Sequence, residues 1–341
     1  MPDLITIATR GSALALAQAN IIAMHCREFF PRLRFETKII KTTGDKMQKS
    51  SLVEGGLPKG LFTKELEVAL IKGKADMAIH SLKDLPTDIP AGLKLAATPK
   101  REEARDVLIY RSAEYLAKQN LREQQDWSPG QGNLRGFKTV GLTNFPHGST
   151  IATGSVRRKL QLLIARPDLK IVEIRGNVPT RLQKLADGPE LDATVLAFAG
   201  MSRLNIKIQP DGTLVGDAAP GGLLATILDL ETMLPCAGQG AIGVEIRADD
   251  ERLAKICERL NHYNTFQSTA AERAFLRAMG GGCQSPVAAH AEVLGNNIAM
   301  HAASFPDGTA RHAQMKGPLG QAIQLGEQVA AEIKNDTSVG R

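Results

Sequence analysis

Aromatic residues make up only 4% of the 341-residue chain, with a single tryptophan, Trp127. That scarcity argues against a surface on which nucleic-acid bases stack. Cysteines are few as well: Cys26, Cys236, Cys257 and Cys283, with no C-x-x-C pair. A zinc site of that spacing is excluded, no metal is expected, and the thiols read as reduced. No apolar run approaches the ~20 residues of a membrane span. Pro2-Asp3 leads straight into a strand pattern, without a basic stretch and apolar run, so the expectation is a cytoplasmic protein with no secretory signal. There is no P-loop, and no G-x-G-x-x-G follows the first strand, which disfavours a nucleotide site. Acidic residues do not dominate either: Lys+Arg is 42 against Asp+Glu 36, a net charge of +6. A solvated basic face is the ordinary explanation of so small an excess.

What is present is ordinary globular material, 43% hydrophobic and 23% charged. The length suits about two to three domains of ~150 residues. Residues 4–9 read as a buried strand, Arg10-Gly11-Ser12 as a turn, 13–30 as a helix ended by Pro31, and 35–41 as a strand. The turn therefore falls at a strand's carboxyl end, the edge where open α/β sheets bind ligands. Residues 42–59 are polar, glycine-bearing and aperiodic, a candidate mobile loop or lid. A helix over 60–72 and a strand over 76–79 lead to His80-Ser81-Leu82-Lys83-Asp84-Leu85-Pro86, and a further strand covers 93–97. A charged crossover, 99–106, opens a second α/β unit with strands at 106–110, 150–153, 170–174 and 193–197. Its helices are expected at 155–165 and 179–185. The irregular stretch 112–149 and the glycine-rich stretch 205–232 read as surface decoration. A strand at 241–246 and a helix at 249–260 follow. The remainder, a helix over 269–279, strand-like runs over 287–294, 298–304 and 309–316, and a helix over 319–334, forms a small antiparallel α+β domain.

Polar residues concentrate at strand-end turns: Arg10 and Ser12; Ser81, Lys83 and Asp84; Thr153, Ser155, Arg157 and Arg158. Arg175 and Arg181 flank Asn177 at a helix start, and Arg203 follows a strand and a glycine. Guanidinium forks beside helix N-termini suit carboxylates or phosphates, so the expected ligand is a polyanion, though structural salt bridges are the alternative. Asp84 reads either as a turn cap or as an ionised group that stabilises a developing cation. Cys283 follows Gly280-Gly281-Gly282 and precedes Pro286 at the end of a helix, either a buried structural thiol or a presented one. Two other readings stay open: a non-enzymatic binder of small anions, and a polyanion binder.

The ordered motifs IATRGS (7–12), KGLFTKEL (59–66), HSLKDLP (80–86), SVRR (155–158), RGNVPTRL (175–182), AGMSRL (199–204), GQGAIGVE (238–245) and ERAFL through GGCQSP (272–286) give a resemblance along nearly the whole chain. The chain resembles the porphobilinogen deaminase (hydroxymethylbilane synthase) family. The resemblance implies a fold of two type II periplasmic-binding-protein-like α/β domains plus a small α+β domain with an antiparallel three-stranded sheet. It places domain 1 at 1–99 and 239–260, domain 2 at 104–234, and domain 3 at 263–341. It implies a monomeric transferase of tetrapyrrole biosynthesis that binds neither nucleic acid nor membrane. Four porphobilinogen molecules are condensed head to tail with loss of ammonia, and water releases hydroxymethylbilane, which passes to uroporphyrinogen-III synthase. The primer is a dipyrromethane cofactor in thioether linkage to Cys283. Asp84 is the implied catalytic carboxylate. Ser81, Lys83, Asp84, Thr153, Ser155, Arg157 and Arg158 are the implied cofactor contacts. Arg10, Ser12, Gln18, Arg158, Arg175, Arg181 and Arg203 are the implied substrate contacts. The active-site loop corresponds to 42–58, with Lys59 at its edge. Two departures stand out: Gly154 replaces a serine, removing one hydroxyl contact, and Gly280 replaces a polar residue, which is expected to loosen the turn before Cys283.

Overall fold

A computed structural model describes residues 4–44, 62–123, 134–282 and 285–335. The chain divides into two compact units. One comprises Met1–Ala104, Pro235–Ser304 and Arg311–Arg341; the other comprises Arg105–Leu234 and Phe305–Ala310. No helix of the described residues is long and apolar enough to cross a membrane.

In the first unit, strands β1 (Leu4–Thr9), β2 (Arg34–Ile39), β3 (Met77–Ser81) and β4 (Leu93–Ala97) are joined by β12 (Ile242–Arg247) in the order β2-β1-β3-β12-β4. β1 runs parallel to β2 and β3, whereas β12 is antiparallel to both its neighbours. Side chains alternate across the sheet. Ile5 and Ile7 pack with Ile22 and Cys26 of α1 (Ala13–Phe29) and Ile256 of α7 (Glu251–Leu260). Ala8 and Ala78 pack instead with Leu66 and Leu70 of α2 (Lys64–Ile71). Helices thus cover both faces and leave the strand ends as the exposed edge.

The same unit holds a second layer. Strands β13 (Val287–Leu294), β14 (Asn297–Ser304) and β15 (Arg311–Pro318) form an antiparallel sheet in that order. Ala291, Met300 and Ala302 bury against Phe275 of α8 (Tyr263–Ala278) and against Leu325 and Val329 of α9 (Ala322–Asn335). A Cβ on Gly326 would lie 2.2 Å from the Ala271 carbonyl oxygen, so only glycine lets these helices approach. α8 starts six residues before the expected 269, because His262 caps it by accepting from Thr265 N.

The second unit repeats the strand order of the first. Strands β5 (Asp106–Arg111), β6 (Thr150–Ala152), β7 (Lys170–Val172), β8 (Ala193–Ala197) and β11 (Leu223–Ile227) lie in the order β7-β6-β8-β5-β11. β6 is parallel to β7 and β8, and β5 is antiparallel to both its neighbours. Its helices are α3 (Ala113–Glu123), α4 (Val156–Ala165), α5 (Val178–Asp187) and the short α6 (Phe198–Ser202). The α/β class with a C-terminal antiparallel three-stranded sheet is as expected. Two expectations fail. The stretch 205–232 is not decoration: besides the small ribbon β9 (Lys207–Ile208) and β10 (Leu214–Val215), it supplies β11, whose Leu223 and Ala225 are buried. Nor is 112–149 peripheral, since α3 lies there, and Leu142 and Phe145 enter the core beside Tyr110. Residues 124–133 of that stretch lie outside the described residues.

Candidate functional site

In the first unit the end of β1 is shaped by Ser12, whose Oγ accepts from Ala15 N at 3.3 Å and caps α1. This satisfies one of the amides that a helix start leaves unpaired. Arg10, just before the cap, lies with its guanidinium 4.1 Å from the centre of the Phe62 ring, a cation–π contact. The end of β3 turns into a single 3-10 turn, Leu82–Asp84, closed by Leu85 N donating to Leu82 O at 3.2 Å. Leu82 and Leu85 are buried and pin this turn, and Pro86 prevents it from growing into a helix. Lys83 and Asp84 stay half-buried between them. Gln18, from the second turn of α1, reaches across to Ser81, with Nε2 donating to Oγ at 3.0 Å.

These turns line a concavity that opens to solvent, bounded by Arg10, Ser12, Gln18, Phe62, Ser81 and Asp84, with Thr63 and His80 also on its wall. Residues 10, 12, 18, 81 and 84 are therefore brought to one place. Lys83 points its Nζ instead at Gln239 Oε1, 3.4 Å away, and Gln239 Nε2 donates to Ala104 O at 2.7 Å. On the α2-covered side of the sheet, His80 Nε2 pairs with Glu245 Oε2 at 3.0 Å, both side chains buried.

In the second unit the end of β6 has the same form. Ser155 caps α4, its Oγ accepting from Arg158 N, and Thr153 Oγ1 accepts from Ser155 N at 3.2 Å. Arg157 and Arg158 follow inside the helix and are buried. Arg157 Nη2 donates to Asp106 Oδ2 at 2.8 Å, and Arg158 Nη2 to Asp106 Oδ1 at 2.7 Å. Their remaining forks reach the carbonyls of Leu234 and Val195. Burial alone would push the Asp106 carboxyl up, but the two guanidiniums outweigh it and hold it well below the usual carboxylate range. Arg181 donates Nε to Gly176 O at 2.7 Å, and burial, then the charge of Arg158, pushes it down. Arg175 pairs with Glu173 at 2.6 Å, both largely exposed. Arg203 caps the C-terminus of α6 rather than following a strand directly.

At the end of α8 the backbone makes the paired bonds of a Schellman ending: Gly280 N to Arg277 O at 2.9 Å and Gly281 N to Leu276 O at 3.0 Å. Gly280 has φ 70°, where a side chain is costly, so glycine here tightens the turn rather than loosening it. Gly282 N then donates to Ser285 Oγ at 2.7 Å. Cys283 itself lies outside the described residues, as do residues 45–58 of the expected loop and Lys59 at its edge. Sequence reasoning missed Asp106, Phe62, Gln239 and the His80–Glu245 pair. The partner of each is distant in sequence, so no local pattern marks it.

Comparison with known proteins finds relatives along nearly the whole chain. The family model described as porphobilinogen deaminase, dipyromethane cofactor binding domain, matches residues 5–255, and the porphobilinogen deaminase C-terminal domain matches 266–335. A protein of Syntrophomonas wolfei named porphobilinogen deaminase is 40% identical over 292 residues, covering 86% of this chain and 82% of that one. Proteins of the same name from Chloroherpeton thalassium (36% over 337 residues, 98% and 93% covered) and Thermus thermophilus (36% over 334 residues, 96% and 95% covered) are similar along almost their full length.

Proposed function

The chain belongs to the porphobilinogen deaminase family, and we propose that it condenses four porphobilinogen molecules head to tail, with loss of ammonia, and releases hydroxymethylbilane with water. The observation that carries this reading is the convergence of Arg10, Ser12, Gln18, Ser81 and Asp84 on one concavity. Each porphobilinogen carries an acetate and a propionate. Arg10, held by the Phe62 ring, and the capped start of α1 suit such carboxylates. Breaking the substrate's C–N bond leaves a cation on its pyrrole. Asp84, fixed on its short turn, stabilises that charge without reorganising. In the second unit Arg175, Arg181 and Arg203 are the proposed further substrate contacts.

The proposed cofactor is a dipyrromethane in thioether linkage to Cys283. Bound there, it supplies a pyrrole α-carbon as the nucleophile for the first addition. Within the first unit, Ser81, Lys83 and Asp84 offer donors and a carboxylate suited to such an anionic, N–H-bearing group; Thr153, Ser155, Arg157 and Arg158 of the second unit are further proposed contacts. The Schellman ending closes α8 at Gly280 and Gly281, two residues before Cys283 in the sequence. Intact-mass spectrometry of protein from a porphobilinogen-replete host tests this, with a dipyrromethane adduct on Cys283 expected. An unmodified chain that releases no ammonia from porphobilinogen overturns the reading in favour of a simple anion binder.

A further inference from the structure

The imidazole of His80 has no part in the scheme above, yet it lines the same concavity as Asp84. Its Nε2 lies 3.0 Å from Glu245 Oε2, and the two side chains are 3% and 0% exposed. Taking a carboxylate and its polar partner out of water costs several kcal/mol, and well-packed apolar residues in place of such a buried pair are often neutral or better. Stability is therefore a poor reason for the pair to exist. Further polar atoms are buried in the same region. Glu245 Oε1 has no hydrogen-bond partner among the described residues, and Thr63, whose side chain is a hydrogen-bond partner of Glu67, also lines the concavity. Burial, with a contribution from Glu245, pushes the Glu67 carboxyl up. Charged and titratable groups near the pair include Glu67 of α2, which interacts with both His80 and Glu245, and Arg273 of α8, which interacts with Glu245; Arg10 after β1 and Asp84 after β3 line the same concavity.

We propose that His80, oriented by Glu245, is the proton acceptor for the pyrrole α-hydrogen that each condensation must lose; this rests on the deaminase reading above. With Nε2–H donated to the Glu245 carboxylate, the imidazole lone pair is on Nδ1. The balance of one addition runs through it. The C–N bond of the substrate breaks, and its electron pair leaves with ammonia. A C–C bond then forms between the cationic methylene and the α-carbon of the preceding unit. The C–H bond at that carbon breaks, and its electrons restore the aromatic ring. The proton goes to His80 Nδ1, directly or through one water. The imidazolium is stabilised by Glu245 and passes its proton to the departing ammonia, which leaves as ammonium. One neutral histidine is regenerated per addition, so one group serves all four. Asp84 keeps its separate role at the cation, since a group that stays ionised to stabilise positive charge is poorly suited to hold the proton as well.

The test uses the full-length, primer-loaded enzyme and porphobilinogen deuterated at its free α-carbon. His80→Asn is expected to lower kcat on the order of 10²-fold, as loss of a general base does. At the same time the isotope effect on kcat should rise to a primary value, because proton removal becomes rate-limiting. Intact mass should still show the primer on Cys283. Glu245→Gln, which keeps the shape and removes the charge, should give a smaller fall with the isotope effect raised in the same direction. It carries the test if His80→Asn does not fold. Turnover unchanged in His80→Asn, or a fall in both variants with no change in isotope effect, overturns the proposal. Wild-type protein without ammonia release would overturn the deaminase reading instead, so the two failures are distinguishable.

Discussion

The two units contain the same turn put to different uses. Each ends a parallel strand in a residue-Gly-Ser sequence, Arg10-Gly11-Ser12 and Thr153-Gly154-Ser155, and each serine caps the helix that follows. In the first unit the next residues are Ala13-Leu14-Ala15, and the cation stands before the cap, stacked on Phe62 at the wall of a concavity. In the second unit the cations stand after the cap, as Arg157 and Arg158, 4% and 6% exposed, and they grip Asp106. Moving an arginine by a few residues along a helix start thus decides what its charge meets. Before the cap it faces a ligand cleft; on the inward side of the first turn it faces a buried carboxylate. A strand-end arginine is therefore not by itself a substrate contact. The proposed cofactor role of Arg157 and Arg158 is one they combine with holding Asp106.

The largest effect that would break this comparison is expected at Asp106. Asp106→Asn leaves two buried guanidiniums without their counter-charge and should cost about 3–5 kcal/mol of stability. The sign with pH follows from the depressed carboxyl. Its stabilisation is complete above the ordinary carboxylate range, near pH 4, and is lost as pH falls below that toward the folded-state value. Denaturant unfolding should therefore show the gap between wild type and Asp106→Asn shrinking below pH ~4. A constant gap would mean that the ion triad is not what Asp106 contributes.

At the first unit's site the expected loss is catalytic. Asp84→Asn should lower kcat by roughly 10²–10³, about 2.7–4 kcal/mol of transition-state stabilisation. Its half-buried position at the concavity predicts an unfolding midpoint close to wild type. A large fall in stability with turnover retained would make Asp84 a structural residue like Asp106 and erase the contrast between the units.

The sequence is legible where local pattern decides the outcome. The helix starts at Ser12, Ser155 and Asn177 all proved to be caps, because a polar residue before an apolar run reports its own backbone geometry. It is illegible where a partner lies far along the chain. Asp106 meets Arg157 across 51 residues and His80 meets Glu245 across 165, so no window of sequence contains either pair. β11 was hidden for another reason. Leu223 to Ile227 is short and preceded by Gly221-Gly222, and only its pairing with β5 makes it a strand. The glycine run before Cys283 reads as a left-handed helix ending, and Gly280 takes that conformation; only the expectation that it loosens the turn fails.

The smallest expected effect sharpens the comparison furthest, because it tests whether the two turns are one device. Ser12→Ala and Ser155→Ala each remove a cap whose Oγ accepts a backbone N–H, at 3.3 Å from Ala15 N and 3.5 Å from Arg158 N. Each should cost about 1 kcal/mol. Both distances are long for such a bond, which places them toward the weaker end of capping. If the turns are equivalent as backbone structures, the two losses agree within about 0.5 kcal/mol in denaturant unfolding, and any larger difference between the variants appears only in kinetics. Ser12 lines the concavity, so Ser12→Ala should also raise KM for porphobilinogen. A Ser155→Ala loss several times that of Ser12→Ala would instead show that the second cap also aligns Arg157 and Arg158 on Asp106. The shared turn would then have become structural in one unit and remained a ligand-facing edge in the other.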